Sequence, residues 1–132
     1  MTEIITYDNM IGRTFTSIKG AKIYSDNLTF IATDGSEFNF YDGEAGLGNN
    51  VSVYIDDICG DITNLIGRPI LQTECISNKN SDETWTFYKF STVKGTVTIK
   101  WRGTSNGYYS EEVSYSESIK LKPVLKLLNN LK

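Results

Sequence analysis

The chain has 132 residues, 39% of them hydrophobic and 22% charged, with 13 Lys and Arg against 16 Asp and Glu, 2 cysteines and no histidine. That length and balance indicate one folded domain with its own core and exclude a disordered chain, which carries more charge and fewer aromatics. A net charge of −3 and a pI of 4.9 argue against ordinary duplex DNA binding, and the missing histidine removes the commonest general base and zinc ligand.

Residues 1–12 read as a short lead. They contain no basic segment followed by an apolar run, and no apolar stretch approaches bilayer length, so the expectation is a cytoplasmic protein with no membrane association. In that compartment Cys59 and Cys75 are expected as buried thiols, because two cysteines are too few for a disulfide framework and lack metal-clip spacing.

Strands are expected to begin near Arg13. Thr14-Phe15-Thr16-Ser17-Ile18 alternates, Ala21-Lys22-Ile23-Tyr24 follows Gly20, and Leu28-Thr29-Phe30-Ile31-Ala32 runs into Asp34-Gly35. The Asp-Gly pair signals a two-residue type I′ hairpin turn, returning as Glu37-Phe38-Asn39-Phe40-Tyr41. Residues 42–50 hold Gly43, Gly46 and Gly48 and read as a surface loop. Val51-Ser52-Val53-Tyr54-Ile55 is a further strand, after which Asp61 is placed to cap one helical turn through Ile62, Leu65 and Ile66. Residues 70–76 resume a strand, and 77–82 form a polar loop.

The clearest signal lies over residues 84–113. Thr84-Trp85-Thr86-Phe87-Tyr88-Lys89-Phe90 turns over Lys94-Gly95 into Thr96-Val97-Thr98-Ile99-Lys100-Trp101-Arg102, with Val97, Ile99 and Trp101 on one face. A second turn over residues 103–107 leads to a strand at 108–113. From Pro123, the residues Val124, Leu127, Leu128 and Leu131 recur at helical spacing and predict a short C-terminal helix that must dock on the sheet or on another subunit. The fold expected from this pattern is mainly β (α+β): a strongly bent antiparallel sheet or small barrel with one short helical turn and a C-terminal helix. It forms a single domain over 1–132, with a β core at 11–114 and an extension at 115–132.

Charge is unevenly placed. Residues 23–67 contain Asp26, Asp34, Glu37, Asp42, Glu44, Asp56, Asp57 and Asp61 but no lysine or arginine, whereas 84–110 hold Lys89, Lys94, Lys100 and Arg102 and no acid. Asp42, Glu44, Asp56, Asp57 and Asp61 are therefore candidates for docking on a basic protein surface, such as the nucleic-acid channel of a nuclease. The plainer reading leaves them as solvated turns and caps. Three carboxylates at Asp56, Asp57 and Asp61 also suggest a divalent cation, but they lack the alternating ligands of a calcium loop, so no metal is expected. Around the second turn, Arg102, Ser105, Asn106, Tyr108 and Tyr109 combine a phosphate-binding cation with stacking and hydrogen-bonding groups, the alternative being a hairpin whose aromatics pack the sheet.

Five blocks occur in order: Ile11-Gly12-Arg13-Thr14-Phe15, Ile55-Asp56-Asp57-Ile58-Cys59-Gly60-Asp61, Leu65-Ile66-Gly67-Arg68-Pro69-Ile70-Leu71, Thr84-Trp85-Thr86-Phe87-Tyr88-Lys89-Phe90 and Gly103-Thr104-Ser105-Asn106-Gly107-Tyr108-Tyr109-Ser110-Glu111. Over residues 11–114 the chain resembles a small domain of unknown function common in phage and prophage genomes. Members of that family carry a Cys-Cys pair just before the strand that begins here at Val51, where this chain has Asn49-Asn50. The resemblance implies a phage context and assigns no catalytic residue or cofactor. The resulting expectation is a non-enzymatic phage accessory protein that binds and inhibits a host protein, such as a CRISPR effector or other defence nuclease. The alternative is a module that binds or sequesters a nucleotide or other small ligand at the Arg102 turn. A leucine-rich tail or an unpaired sheet edge also leaves room for a homodimer.

Overall fold

The computed structural model describes residues 4–43, 52–80, 83–105 and 111–120. Among them are strands β1 (Ile4–Ile5), β2 (Phe15–Lys19), β3 (Asn27–Ala32), β4 (Glu37–Tyr41), β5 (Ser52–Cys59), β6 (Gln72–Lys79), β7 (Glu83–Thr92), β8 (Gly95–Thr104) and β9 (Ser114–Ser118). Two short 3-10 turns, Asp8–Met10 and Ile62–Leu65, complete the described elements.

The strands form two sheets, a five-stranded one in the order β1-β6-β7-β8-β5 and a four-stranded one in the order β2-β3-β4-β9. Every strand pairing is antiparallel. Alternation places Phe30, Phe38 and Phe40 of the smaller sheet and Tyr88, Phe90, Val97, Ile99 and Trp101 of the larger one in a single buried core. The ring of Phe40 lies 4.7 Å from Tyr88 and 5.9 Å from Phe90, and Phe30 lies 4.9 Å from Phe90, so aromatic rings join the layers.

Two sheets packed through these rings replace the bent sheet or small barrel expected from the sequence. Two consecutive meanders were legible, but not that the chain changes sheets between β4 and β5 and returns through β9. The C-terminal helix expected from Pro123 falls on residues outside those described, and no helix among the described residues is longer than four residues. Most of the loop expected over 42–50 also lies outside them.

Local expectations fared unevenly. Asp61 caps the Ile62–Leu65 turn, accepting from the Thr63 backbone N–H at 3.0 Å. The β3–β4 hairpin closes differently from a type I′ turn: Gly35 N–H donates to Ala32 at 3.0 Å, Ala32 N–H donates to Ser36 at 2.8 Å, and only Gly35 has positive φ, at 86°. This is a three-residue loop, with glycine supplying the left-handed position. Ala21-Lys22-Ile23-Tyr24 forms a turn rather than a strand, with Tyr24 at φ 73°. Cys75 is buried as expected, but Cys59 is exposed, and both are free thiols.

Candidate functional site

The central strand β7 departs from the usual division into an apolar inner face and a polar outer one. Thr84 and Thr86 point inward and are buried, while Trp85 and Phe87 are half-buried on the opposite face, outside the core cluster. Cross-strand register sets two rows on that outer face: Asn78, Trp85, Arg102 and Tyr54 in one, Ile4, Ile76, Phe87 and Lys100 in the other. Tyr24 extends the first row, its ring 5.8 Å from that of Tyr54 and its side chain 79% exposed.

Cations lie over the indole. Lys100 Nζ is 4.5 Å and the Arg102 guanidinium carbon 5.1 Å from the Trp85 ring centroid. Each is also paired, Lys100 with Asp56 at 3.3 Å and Arg102 with Glu83 at 2.5 Å. The hydrogen bonds that Arg102 donates to Glu83 and then to Tyr54 hold its guanidinium above its ordinary value. Asp56 reaches Lys100 because it is the extra residue of a β-bulge: the register passes from Ile55↔Trp101 to Asp57↔Lys100. The outer face is therefore an aromatic patch threaded with internally neutralised ion pairs.

The sequence-nominated acids are dispersed over the fold. Asp42 accepts from the Val53 N–H at 3.3 Å near the start of β5, Asp56 pairs with Lys100, and Asp57 accepts from the Ile58 N–H at 2.9 Å. Asp61 caps the 3-10 turn beyond the other end of the strand, and Glu44 lies outside the described residues. Among the described residues no group of three or more Cys, Asp or Glu side chains could hold a metal ion. Of the Arg102 group, Arg102 is stacked on Trp85, and Ser105 donates to Glu111 at 2.6 Å. Asn106, Tyr108 and Tyr109 lie outside the described residues. Glu111, 4% exposed, also accepts from Thr84 at 2.9 Å, so its carboxylate ties the residues before β9 to β7 and β8.

A cleft of about 580 Å³ opens on the inner side of β1, β6 and β7, lined by Tyr7, Cys75, Ser77, Thr86 and Tyr88, with Glu112 and Val113 also on its wall. Burial pushes the Tyr7 and Tyr88 hydroxyls well above their ordinary value and raises the Cys75 thiol, so all three remain protonated at neutral pH. No sequence pattern points to this cleft, because its lining comes from separate segments whose polar members read as loop or solvent-facing residues.

These features define a two-layer antiparallel β domain with an aromatic outer face and a hydroxyl-lined cleft. The chain belongs to the family described as Domain of unknown function (DUF7448), whose model matches residues 8–115. No curated protein and no solved structure matches it. No helix among the described residues is long and apolar enough to cross a membrane.

Proposed function

We propose that this is a non-enzymatic binding protein that docks on a host protein through the outer face of its five-stranded sheet and inhibits it. The observation that carries the reading is the placement of Trp85 and Phe87 on the solvent side of the central strand, beside Tyr54 and Tyr24. Tryptophan, tyrosine and arginine supply most of the binding energy in protein interfaces, and such anchors work best when ringed by polar groups. Here the ring is Asp56, Glu83, Lys89 and Lys100.

A protein suits this face better than a nucleic acid. Lys100 and Arg102 are offset by Asp56 and Glu83, and the chain carries a net charge of −3, leaving no cationic surplus for phosphates. Because the acids nominated from the sequence are dispersed, the contact assigned here is aromatic rather than acidic. The phage setting implied by the sequence resemblance makes a host defence nuclease the first target class to test.

The test is capture from host lysate with three baits: the wild type, a Tyr54→Ala/Trp85→Ala variant, and an Asp42→Asn/Asp57→Asn/Asp61→Asn variant that leaves the ring residue Asp56 in place. One stoichiometric partner is expected with the wild type, lost by at least tenfold in the aromatic variant and kept by the acidic one. The reverse pattern would return the contact to the acidic residues. A partner held equally by all three baits, or none at all, would refute docking through this face.

A further inference from the structure

The cleft beneath β1, β6 and β7 lies mainly on the side of the sheet opposite the outer face, as strand alternation dictates, and meets that face only at Asn78, which lines the cleft and pairs with Trp85 across the strands. Its lining is ordered by register. Ile5, Cys75 and Tyr88 share one row, and Ser77 and Thr86 the next, their hydroxyl oxygens 3.3 Å apart. Thr86, Tyr88 and Cys75 are each at most 4% exposed and all three line the cleft, Thr86 hydrogen-bonded to Ser77 and Tyr88 in hydrogen-bonding contact with Tyr7 and Cys75. Hydroxyls and a thiol bonded to one another in this way keep further donor and acceptor capacity, so the cleft wall offers an occupant a connected polar strip.

The chemistry of the lining restricts the occupant. Its deepest groups are hydroxyls and a thiol, each able to donate and to accept, and burial keeps the tyrosines and the cysteine uncharged. Lys79 and Glu112 also line the cleft; both are exposed and they carry opposite charges, so together they offer no net charge to an ionic ligand. Ile5 and Val113 add apolar surface from two different segments. The volume falls in the range of small-molecule sites, and the lining is more polar than apolar, which suits a polar occupant.

We infer that this cleft binds an uncharged ring compound of about nucleoside size that bears several hydroxyl or amide groups. Its polar edge meets Ser77, Thr86 and Tyr88, and its apolar surface meets Ile5 and Val113. A nucleoside and a free sugar share this chemistry, and the experiment separates them.

Saturation-transfer NMR on the full chain, with adenosine, uridine, maltose and adenosine monophosphate as probes, tests the site. Saturable binding by the nucleosides or by the sugar is expected, and which of them binds identifies the source. Ser77→Leu, at an exposed position that tolerates substitution, should weaken binding at least tenfold by filling the cleft. Thr86→Val, which keeps the side-chain shape, should weaken it severalfold, and Trp85→Ala should leave it unchanged. The inference is overturned if no probe saturates, if Ser77→Leu binds as the wild type does, or if the monophosphate binds tenfold tighter than adenosine. Because Trp85 belongs only to the outer face, failure here leaves the docking proposal intact, and the converse also holds.

Discussion

Gly103 shows how closely the chain is fitted at single positions. A Cβ built there would lie 1.9 Å from the carbonyl oxygen of Glu111, so the backbone preceding β9 rests directly on β8. Gly103→Ala must displace that backbone and with it the Glu111 hydrogen bonds to Thr84 and Ser105, and should cost at least about 2 kcal/mol in denaturant unfolding. Titration offers a second test at this scale. The backbone N–H of Ser36, followed by Arg13, holds Asp34 below its ordinary value of 3.8, and the Thr63 hydroxyl and N–H do the same for Asp61. Their folded values are depressed, so their contribution is fully present above pH 3.8 and is lost as the pH falls through the folded values. Asp61→Ala should lower the melting temperature at pH 7 and flatten the acid limb of the stability curve. At alkaline pH the sign reverses. Tyr88 ionises in the unfolded chain near its ordinary 10.0 but holds its proton when folded, so stability falls above that pH by about 1.4 kcal/mol per unit. Tyr88→Phe should make that limb shallower in melts taken from pH 8 to 11.

At the scale of elements, alternation in Asn27–Ala32, Glu37–Tyr41 and Gly95–Thr104 made the strands legible, since each shows one apolar face, whereas in Phe15–Lys19 a bulge between Phe15 and Ser17 breaks the period and brings Phe15 and Ile18 opposite Ala32 and Phe30. β7 was legible as a strand but not as to its faces, because aromatic residues occupy both of them. Only pairing with β6 and β8 shows that Tyr88 and Phe90 face the core while Trp85 and Phe87 face out. β1 is too short to show a period, and Ala21-Lys22-Ile23-Tyr24 alternates but forms a turn, with Tyr24 N–H bonded to Ile55 at 2.7 Å. The Asp56 bulge was equally hidden, since an unpaired residue leaves no mark in composition. Of the candidate site, the sequence showed Arg102 and the acids but not the patch, which exists only once β5, β7 and β8 are side by side. Trp85→Ala removes the indole under Lys100 and Arg102 but no core contact, so it should cost only about 1–2 kcal/mol of stability while reducing partner binding at least tenfold. Unfolding and binding measured on the same preparation separate the two effects.

In the whole molecule, two sheets are joined by a ring cluster in which Phe40 meets Tyr7, Phe30, Tyr88, Phe90 and Tyr115. Phe40→Ala should cost about 3–5 kcal/mol, because the cavity it leaves lies between two layers that cannot both collapse into it. That core holds the five-stranded sheet from one side and leaves its aromatic outer face half exposed to solvent. Hydroxyl-radical footprinting of the protein in buffer and in host lysate tests that face most directly, since tryptophan, tyrosine and phenylalanine are strong reporters. The account predicts that labelling of Trp85, Phe87, Tyr54 and Tyr24 falls severalfold in lysate while that of Cys59 near Asp57 and Asp61 is unchanged. Equal labelling of the aromatic face in both conditions, protection confined to the Cys59 segment, or protection already present in buffer through self-association would contradict it.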